Sequence, residues 1–255
     1  MHAPVHHRRL ALIDMGTNTF HLLIVEDRPG QPPHPLVRTK VGVRLGEGGI
    51  SHGEIMPIPY ARALQTLRGF KEEIELHQAT EVRATATSAM RVSRNGPDLV
   101  RDILESTGIQ VEVIGGEREA ELIAKGIRQA VPLGPDKSLL MDIGGGSVEF
   151  IIANEDTIFW KHSFEIGAQR LLDQFFPPPS TSLAVSDFEH HFAQLLTLDH
   201  EQRKTLPGMF PMRADMLVVA SIIVEYVLKT YNLTRITTSA FALKEGLLAE
   251  LLGRG

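Results

Sequence analysis

Two short stretches carry the groups best placed to do chemistry. Residues 138–153 read S-L-L-M-D-I-G-G-G-S-V-E-F-I-I-A. An apolar run ends at Asp142, a bare turn of Gly144, Gly145, Gly146 and Ser147 follows, and a second apolar run begins at Val148. Such a turn exposes backbone N–H groups that can cradle a phosphate, and a carboxylate beside it suits a magnesium-bound phosphate. A single glycine triplet is a weak signal, because an ordinary hairpin turn also wants glycine for its positive φ. The chain holds a second copy. Residues 10–25 read L-A-L-I-D-M-G-T-N-T-F-H-L-L-I-V, with Asp14 before Gly16, Thr17, Asn18 and Thr19. The copies align as D-M-G-T-N-T-F and D-I-G-G-G-S-V, an internal repeat that sets the architecture.

Three further sites are open to two readings each. Arg91 follows a strand ending in Thr87-Ser88, where small hydroxyl residues and one arginine suit an anion; the plainer reading is a helix start capped by Ser88. Arg44 lies at a strand end beside Gly46-Glu47-Gly48-Gly49, either as a surface arginine or as a cation facing phosphate. Glu117, Glu119 and Glu121 open a helix after Gly115-Gly116, where the helix dipole alone accounts for acids. The His190-His191 pair has no cysteine or carboxylate at zinc-site spacing and reads as a helix surface. His2, His6 and His7 sit in a tail expected to be disordered.

The elements that position these residues follow from periodicity. Each half begins with a hairpin around its glycine-bearing turn. Third strands are expected over Leu36–Leu45 and Asp156–Phe164, with further strands over Glu81–Ala86, Ile109–Ile114 and Arg235–Ser239. Helices are expected over Ile58–His77, Asp98–Ser106, from Glu117, Gly167–Phe176, Ser186–Leu196, Ala214–Tyr231 and Ala242–Leu252. Val131-Pro132-Leu133-Gly134-Pro135 reads as the linker between halves. The order is βββαβα twice, which predicts two mixed sheets covered by helices, both aspartate turns pointing into the cleft between them.

Composition bounds the function. The chain has 255 residues, 43% hydrophobic and 22% charged, as in an ordinary globular protein with real cores. A net charge of -5 argues against nucleic acid or an anionic membrane as partner, so an anionic substrate needs local basic groups or a metal. There is no cysteine, which excludes disulfides and thiol chemistry. No apolar run reaches the ~18 residues of a membrane span. The N-terminus lacks the apolar stretch of a signal peptide, so a cytoplasmic protein is expected. The Ala214–Tyr231 helix is so apolar that it is expected to be buried, with a homodimer as one way to cover it.

The paired D-x-G-x-N-[ST] and D-I-G-G-G-S stretches resemble the two phosphate motifs of the actin, Hsp70 and sugar kinase superfamily. Four more narrow the resemblance: V-R-L-G-E-G from Val43, T-S-A-M-R-V-S-R-N from Thr87, I-G-G-E-R-E-A from Ile114 and S-A-F-A-L-K-E-G-L-L-A-E-L-L from Ser239. Together they are similar to the exopolyphosphatase and guanosine pentaphosphate phosphohydrolase (Ppx/GppA) family, over nearly the whole chain. The resemblance implies an α/β fold of two ribonuclease-H-like (actin-like ATPase) lobes, residues 1–131 and 132–255, with the last helix packing back on the first lobe. It implies release of terminal phosphate from inorganic polyphosphate or pppGpp.

The resemblance also assigns roles. Glu119 is the general base, Arg91 a phosphate contact, and Asp142 the residue associated with Mg²⁺ or another divalent cation, Glu149 nearby and Asp14 its counterpart in the first turn. The phosphates would lie on Gly16, Thr17, Asn18, Thr19, Arg44, Gly144, Gly145, Gly146 and Ser147. Arg118 replaces the carboxylate that usually precedes the base. Longer family members continue into C-terminal helical domains, and on that comparison a short polyphosphate or a nucleotide polyphosphate is the expected substrate. Two other readings stand beside this one. An ATP-using member of the superfamily would need the glycine pair that normally supports adenosine, which I-T-T-S-A-F near Ser239 lacks. A catalytically weak sensor of (p)ppGpp or polyphosphate is compatible with Arg118.

Overall fold

A computed structural model describes residues 8–175, 195–206, 214–231 and 242–253. Strands β1 (Arg8–Met15) and β2 (Phe20–Asp27) form the first hairpin, with Met15 opposite Phe20 across its turn. β3 (His34–Val41) continues the antiparallel meander, while β4 (Glu81–Ala86) and β5 (Val111–Val113) add in parallel on the other side of β1. The resulting order, β3-β2-β1-β4-β5, makes β1 the central strand. A central strand buries both faces and so reads as a continuous apolar run. Its alternation divides the interior: Ala11, Ile13 and Met15 enter one core, Leu10 and Leu12 another.

The first core is closed by α1 (Pro57–Leu76) and α3 (Gly96–Thr107). Ala63, Leu67, Phe70 and Ile74 give α1 its buried stripe, and Leu99 and Ile103 do the same for α3. Proline sits in the first turn of both helices, where its missing N–H costs nothing, and Gly108 ends α3 in the left-handed conformation, its N–H donating to Leu104 O. Between β4 and α3 lies the short α2 (Ser88–Val92).

The second core joins the two halves. Its centre is α4 (Gly116–Ala130), whose Ala120, Leu122, Ile123, Ala124 and Ile127 meet Leu10, Leu12, Leu23 and Val25 of the first sheet and Leu140, Ile151 and Ala153 of the second. That second sheet is antiparallel, β6 (Ser138–Ile143), β7 (Val148–Ala153) and β8 (Ile158–Phe164), with Asp142 directly opposite Glu149. After it come α5 (Ala168–Phe175), α6 (His200–Lys204), α7 (Ala214–Thr230) and α8 (Leu243–Leu251). Helix α8 packs on α4 and against β1. The crossing with α4 is glycine on glycine: a Cβ on Gly126 would strike Ala242 O, and one on Gly246 would strike Leu122 O.

In the first half the order is β1–β2–β3–α1–β4–α2–α3–β5–α4, so the expected βββαβα pattern, ended by the helix that Glu117 opens, is present with β4, α2 and α3 between its first helix and its last strand. The third strand is shorter than its alternation suggests. It stops at Val41, because the chain then turns away to brace the first glycine-bearing turn: Arg44 N–H donates to Asn18 O at 2.8 Å and Gly46 N–H to Thr17 O at 3.0 Å. Val43 and Leu45 continue the apolar pattern as core residues of that loop. Helix α7 buries Ala214, Val219, Ile223 and Val227, whereas Tyr226 is exposed, so its buried face is narrower than its composition implies. The strand expected over Arg235–Ser239, most of the helix expected over Ser186–Leu196, and His190-His191 lie outside the described residues. Among those described, no helix is long and apolar enough to cross a membrane.

Candidate active site

The two turns close in the same way. Gly16 N–H donates to Thr19 O at 3.1 Å, and Gly144 N–H donates to Ser147 O at 3.0 Å. They also face each other. A Cβ added to Gly145 would lie 2.5 Å from Asn18 Nδ2, and one added to Gly146 would lie 2.5 Å from Thr17 Oγ1 and 2.7 Å from Ser88 Cβ. Glycine is required here because the opposite lobe approaches the bare backbone. The carbonyls of the second turn are taken by the start of α5: Gly167 donates to Gly146 O, Ala168 to Gly144 O, and Gln169 and Arg170 to Gly145 O. That leaves the N–H side of the turn to an anion. Thr17 Oγ1 and Asn18 Oδ1 are buried between the turns without a hydrogen-bond partner. Buried oxygens in that state are rare, and here they lie where a phosphate or its cation would be received.

Three carboxyls at the turns, Asp14, Glu149 and Glu119, are raised by burial and by the acids beside them. Burial pushes the Asp14 carboxyl up to about 7, Lys244 opposes the rise, and the charges of Asp142 and Glu245 add to it. Burial likewise pushes Glu149 up to about 7, against hydrogen bonds from Ser163 and Ser147 and with the charge of Asp142. Ser163 Oγ donates to Glu149 Oε1 at 2.6 Å. Glu119 is held well above the usual carboxylate range by burial and by the charge of Glu149, Arg91 pulling the other way. Such a group of mutually repelling acids is suited to a cation. Among the described residues, no three His, Asp or Glu side chains are arranged to hold a metal ion by themselves. A divalent ion therefore fits only with phosphate oxygens and water completing its shell, the usual arrangement for magnesium.

Arg91 joins these acids to the other lobe. Its Nη1 donates to Glu119 Oε2 and to Ile114 O, each at 3.0 Å, and its Nη2 to Glu165 Oε1 at 2.8 Å. Gly116, at the start of α4, leaves room for this crossing: a Cβ there would stand 2.7 Å from Ser163 Oγ and 3.7 Å from Arg91 Nη2. Ser88 is not the cap of α2, a place held by Thr87; its hydroxyl donates across the lobes to Glu165 Oε2. Arg170 Nη2 reaches the same oxygen at 2.7 Å.

Glu119, Arg91, Glu149, Asp142 and Asp14 are thus brought together with Thr17, Asn18, Gly145, Gly146 and Ser147. Arg44 takes part through its backbone, at positive φ, while its guanidinium pairs with Glu47 at 3.5 Å. Arg118 pairs with Glu121 and with Glu250 of α8. Glu165, Arg170, Ser163 and Lys244 were not expected from the sequence. Their only signal is position, Ser163 within β8, Glu165 two residues before Gly167, and Arg170 and Lys244 in the first turns of α5 and α8, and such positions are too common to single them out.

Residues 23–181 and 178–254 match the model of the Ppx/GppA phosphatase family. The chain belongs to that family. It is 32% identical over 173 residues to Exopolyphosphatase 1 of Mycobacterium bovis and of Mycobacterium tuberculosis, covering 67% of this chain and 50% of theirs. It therefore spans about half the length of the curated relatives it matches. Among solved structures, an exopolyphosphatase from Cytophaga hutchinsonii is 38% identical, with a TM-score of 0.90 covering 96% of this chain and 98% of that one. The Aquifex aeolicus Ppx-GppA enzyme, 19% identical, shares the fold with a TM-score of 0.75 over 95% of this chain and 99% of its own. This family member has the expected α/β fold, a five-stranded mixed sheet and a three-stranded antiparallel sheet packed with helices, and shares it with the Cytophaga structure.

Proposed function

We propose that this Ppx/GppA family member is a phosphohydrolase that releases terminal phosphate from inorganic polyphosphate, short chains in particular, or from pppGpp, or from both. The reading rests chiefly on the buried Glu119 held at Arg91, beside two facing turns whose Thr17 and Asn18 oxygens lack partners. The names of the similar proteins from Mycobacterium and Cytophaga point to the same substrate class.

The turns receive adjacent phosphoryl groups on backbone N–H groups, that of Ser147 among them, and on the Thr17 hydroxyl. A divalent cation held by Asp142, with Asp14 and Glu149 alongside, would neutralise phosphate charge. Glu119 orients a water molecule and accepts its proton as the water oxygen bonds to the terminal phosphorus and the anhydride P–O bond breaks. Arg91 takes up charge on the transferred group. A base must be ionised to work, and a raised pKa places that ionisation nearer working pH. Arg118 is occupied by Glu121 and Glu250, so the sensor reading has no structural feature that favours it over hydrolysis.

The test is a phosphate-release panel of short polyphosphate, long polyphosphate, pppGpp and ATP, each with and without Mg²⁺. Release from short polyphosphate or pppGpp that needs the cation is expected. Release from ATP alone, or from none of the four, would contradict the proposal.

A further inference from the structure

Glu165 is bound as if it were a ligand. Its Oε1 accepts from Arg91 Nη2 at 2.8 Å; its Oε2 accepts from Ser88 Oγ at 2.5 Å and from Arg170 Nη2 at 2.7 Å. Two guanidiniums and a hydroxyl converging on one anion form the donor set that recognises a phosphoryl group. Each arginine is also held in place without Glu165. Arg91 is fixed by Ile114 O and Glu119, and Arg170 donates from Nε to Gly146 O at 3.1 Å and from Nη1 to Ile50 O at 3.3 Å. Glu165 lies between β8 and α5, and its side chain is 37% exposed, against 20% for Arg91 and 16% for Arg170. It can swing into water and leave the donors standing.

We propose that Ser88, Arg91 and Arg170 form a phosphoryl subsite whose resting occupant is Glu165, displaced when a phosphoryl group of the substrate arrives. The inference rests on reading the site as one for phosphoanhydride chains, and it adds Arg170 as a binding residue and Glu165 as a competitor. The Arg170 bond to Gly146 O puts the subsite directly beside the second glycine turn, so a chain seated there presents its next group to these donors. A terminal phosphoryl group offers more charge and one more free oxygen than a carboxylate, and an internal one matches the carboxylate while its neighbours are held on the glycine turns, so either displaces Glu165 from the guanidiniums. Although burial would raise the Glu165 carboxyl, bonds from Ser88 and Arg91 hold it below the usual range, so the competitor is charged at neutral pH.

Calorimetric binding of orthophosphate and of tripolyphosphate, in EDTA, separates this from a merely structural ion pair. The full chain is compared as wild type, Glu165→Gln, Glu165→Ala and Glu165→Gln combined with Arg170→Gln. Both single variants should bind at least one probe roughly tenfold tighter, the weight of one charge-assisted hydrogen bond that no longer has to be exchanged. The gain should vanish in the double variant. A gain with orthophosphate places the subsite at an isolated phosphoryl group, and a gain with tripolyphosphate alone places it one group along a chain. Unchanged or weaker binding of both probes in two single variants that melt like the wild type overturns the proposal. So does a gain that survives loss of Arg170. If the wild type releases no phosphate from any polyphosphate, the hydrolase reading fails while the binding comparison still decides this one.

Discussion

Replacing Glu149 by glutamine should make the protein more stable above neutral pH and less active. Glu149 is 1% exposed, and its carboxyl is pushed from the ordinary 4.5 up to about 7. Between those values the folded chain keeps a proton that the unfolded chain has released. Native stability then falls as pH rises, by about 1.4 kcal/mol per pH unit. The stability is whole below pH 4.5 and is lost through the window up to about 7, a total of about 3 kcal/mol. Glutamine has no proton to lose, and its amide oxygen can still accept from Ser163 Oγ. The variant and the wild type should therefore unfold at the same urea concentration at pH 4 and diverge by up to about 3 kcal/mol in favour of the variant at pH 8. Removing that charge also relieves Glu119, which Glu149 helps to raise. The assay is urea denaturation followed by circular dichroism at pH 4, 6 and 8, without divalent ions, with phosphate release measured in parallel. Parallel stability curves for the two proteins across that range would refute the claim that the site holds its acids under electrostatic strain.

Glu119→Gln, which keeps an acceptor for Arg91, should lose about 10²–10⁴-fold in kcat for phosphate release while its melting temperature holds or rises; wild-type turnover would remove Glu119 as the base. Gly246→Ala forces a methyl group into the Leu122 carbonyl at the α4–α8 crossing, and a loss of about 1–3 kcal/mol or more is expected from its urea midpoint. Arg118→Ala breaks half-exposed pairs with Glu121 and Glu250, so stability should drop by only about 0.2–1 kcal/mol with kcat unchanged; a large loss of turnover would give Arg118 a part in the chemistry.

Asp14, Asp142 and their turns were legible because local rules write them into the chain. An apolar run that must be a buried strand, a carboxylate near its end and a glycine-bearing break are all neighbours in sequence, and their repetition gives two hairpins of one pattern. The end of α3 at Gly108 and the helix opened by Glu117 were legible for the same reason. The end of β3 was not. Val43 and Leu45 carry the alternation onward, and only the bonds from Arg44 and Gly46 to the first turn show why the strand stops. The acids of α4 were ambiguous locally, since a helix dipole explains all of them. Burial separates Glu119, facing Arg91, from Glu117, which pairs with Lys161 at the surface.

The sequence by itself determined the two hairpins, their paired turns and the aspartates near the ends of their first strands, because those depend on contacts between near neighbours and on what glycine permits. Only the tertiary structure decided which charges meet. Arg91 lies 74 residues from Glu165 and 28 from Glu119, and Ser88 lies 82 from Arg170. No local pattern links such distant positions. They come together because α4 is packed between two sheets and shares one core with both.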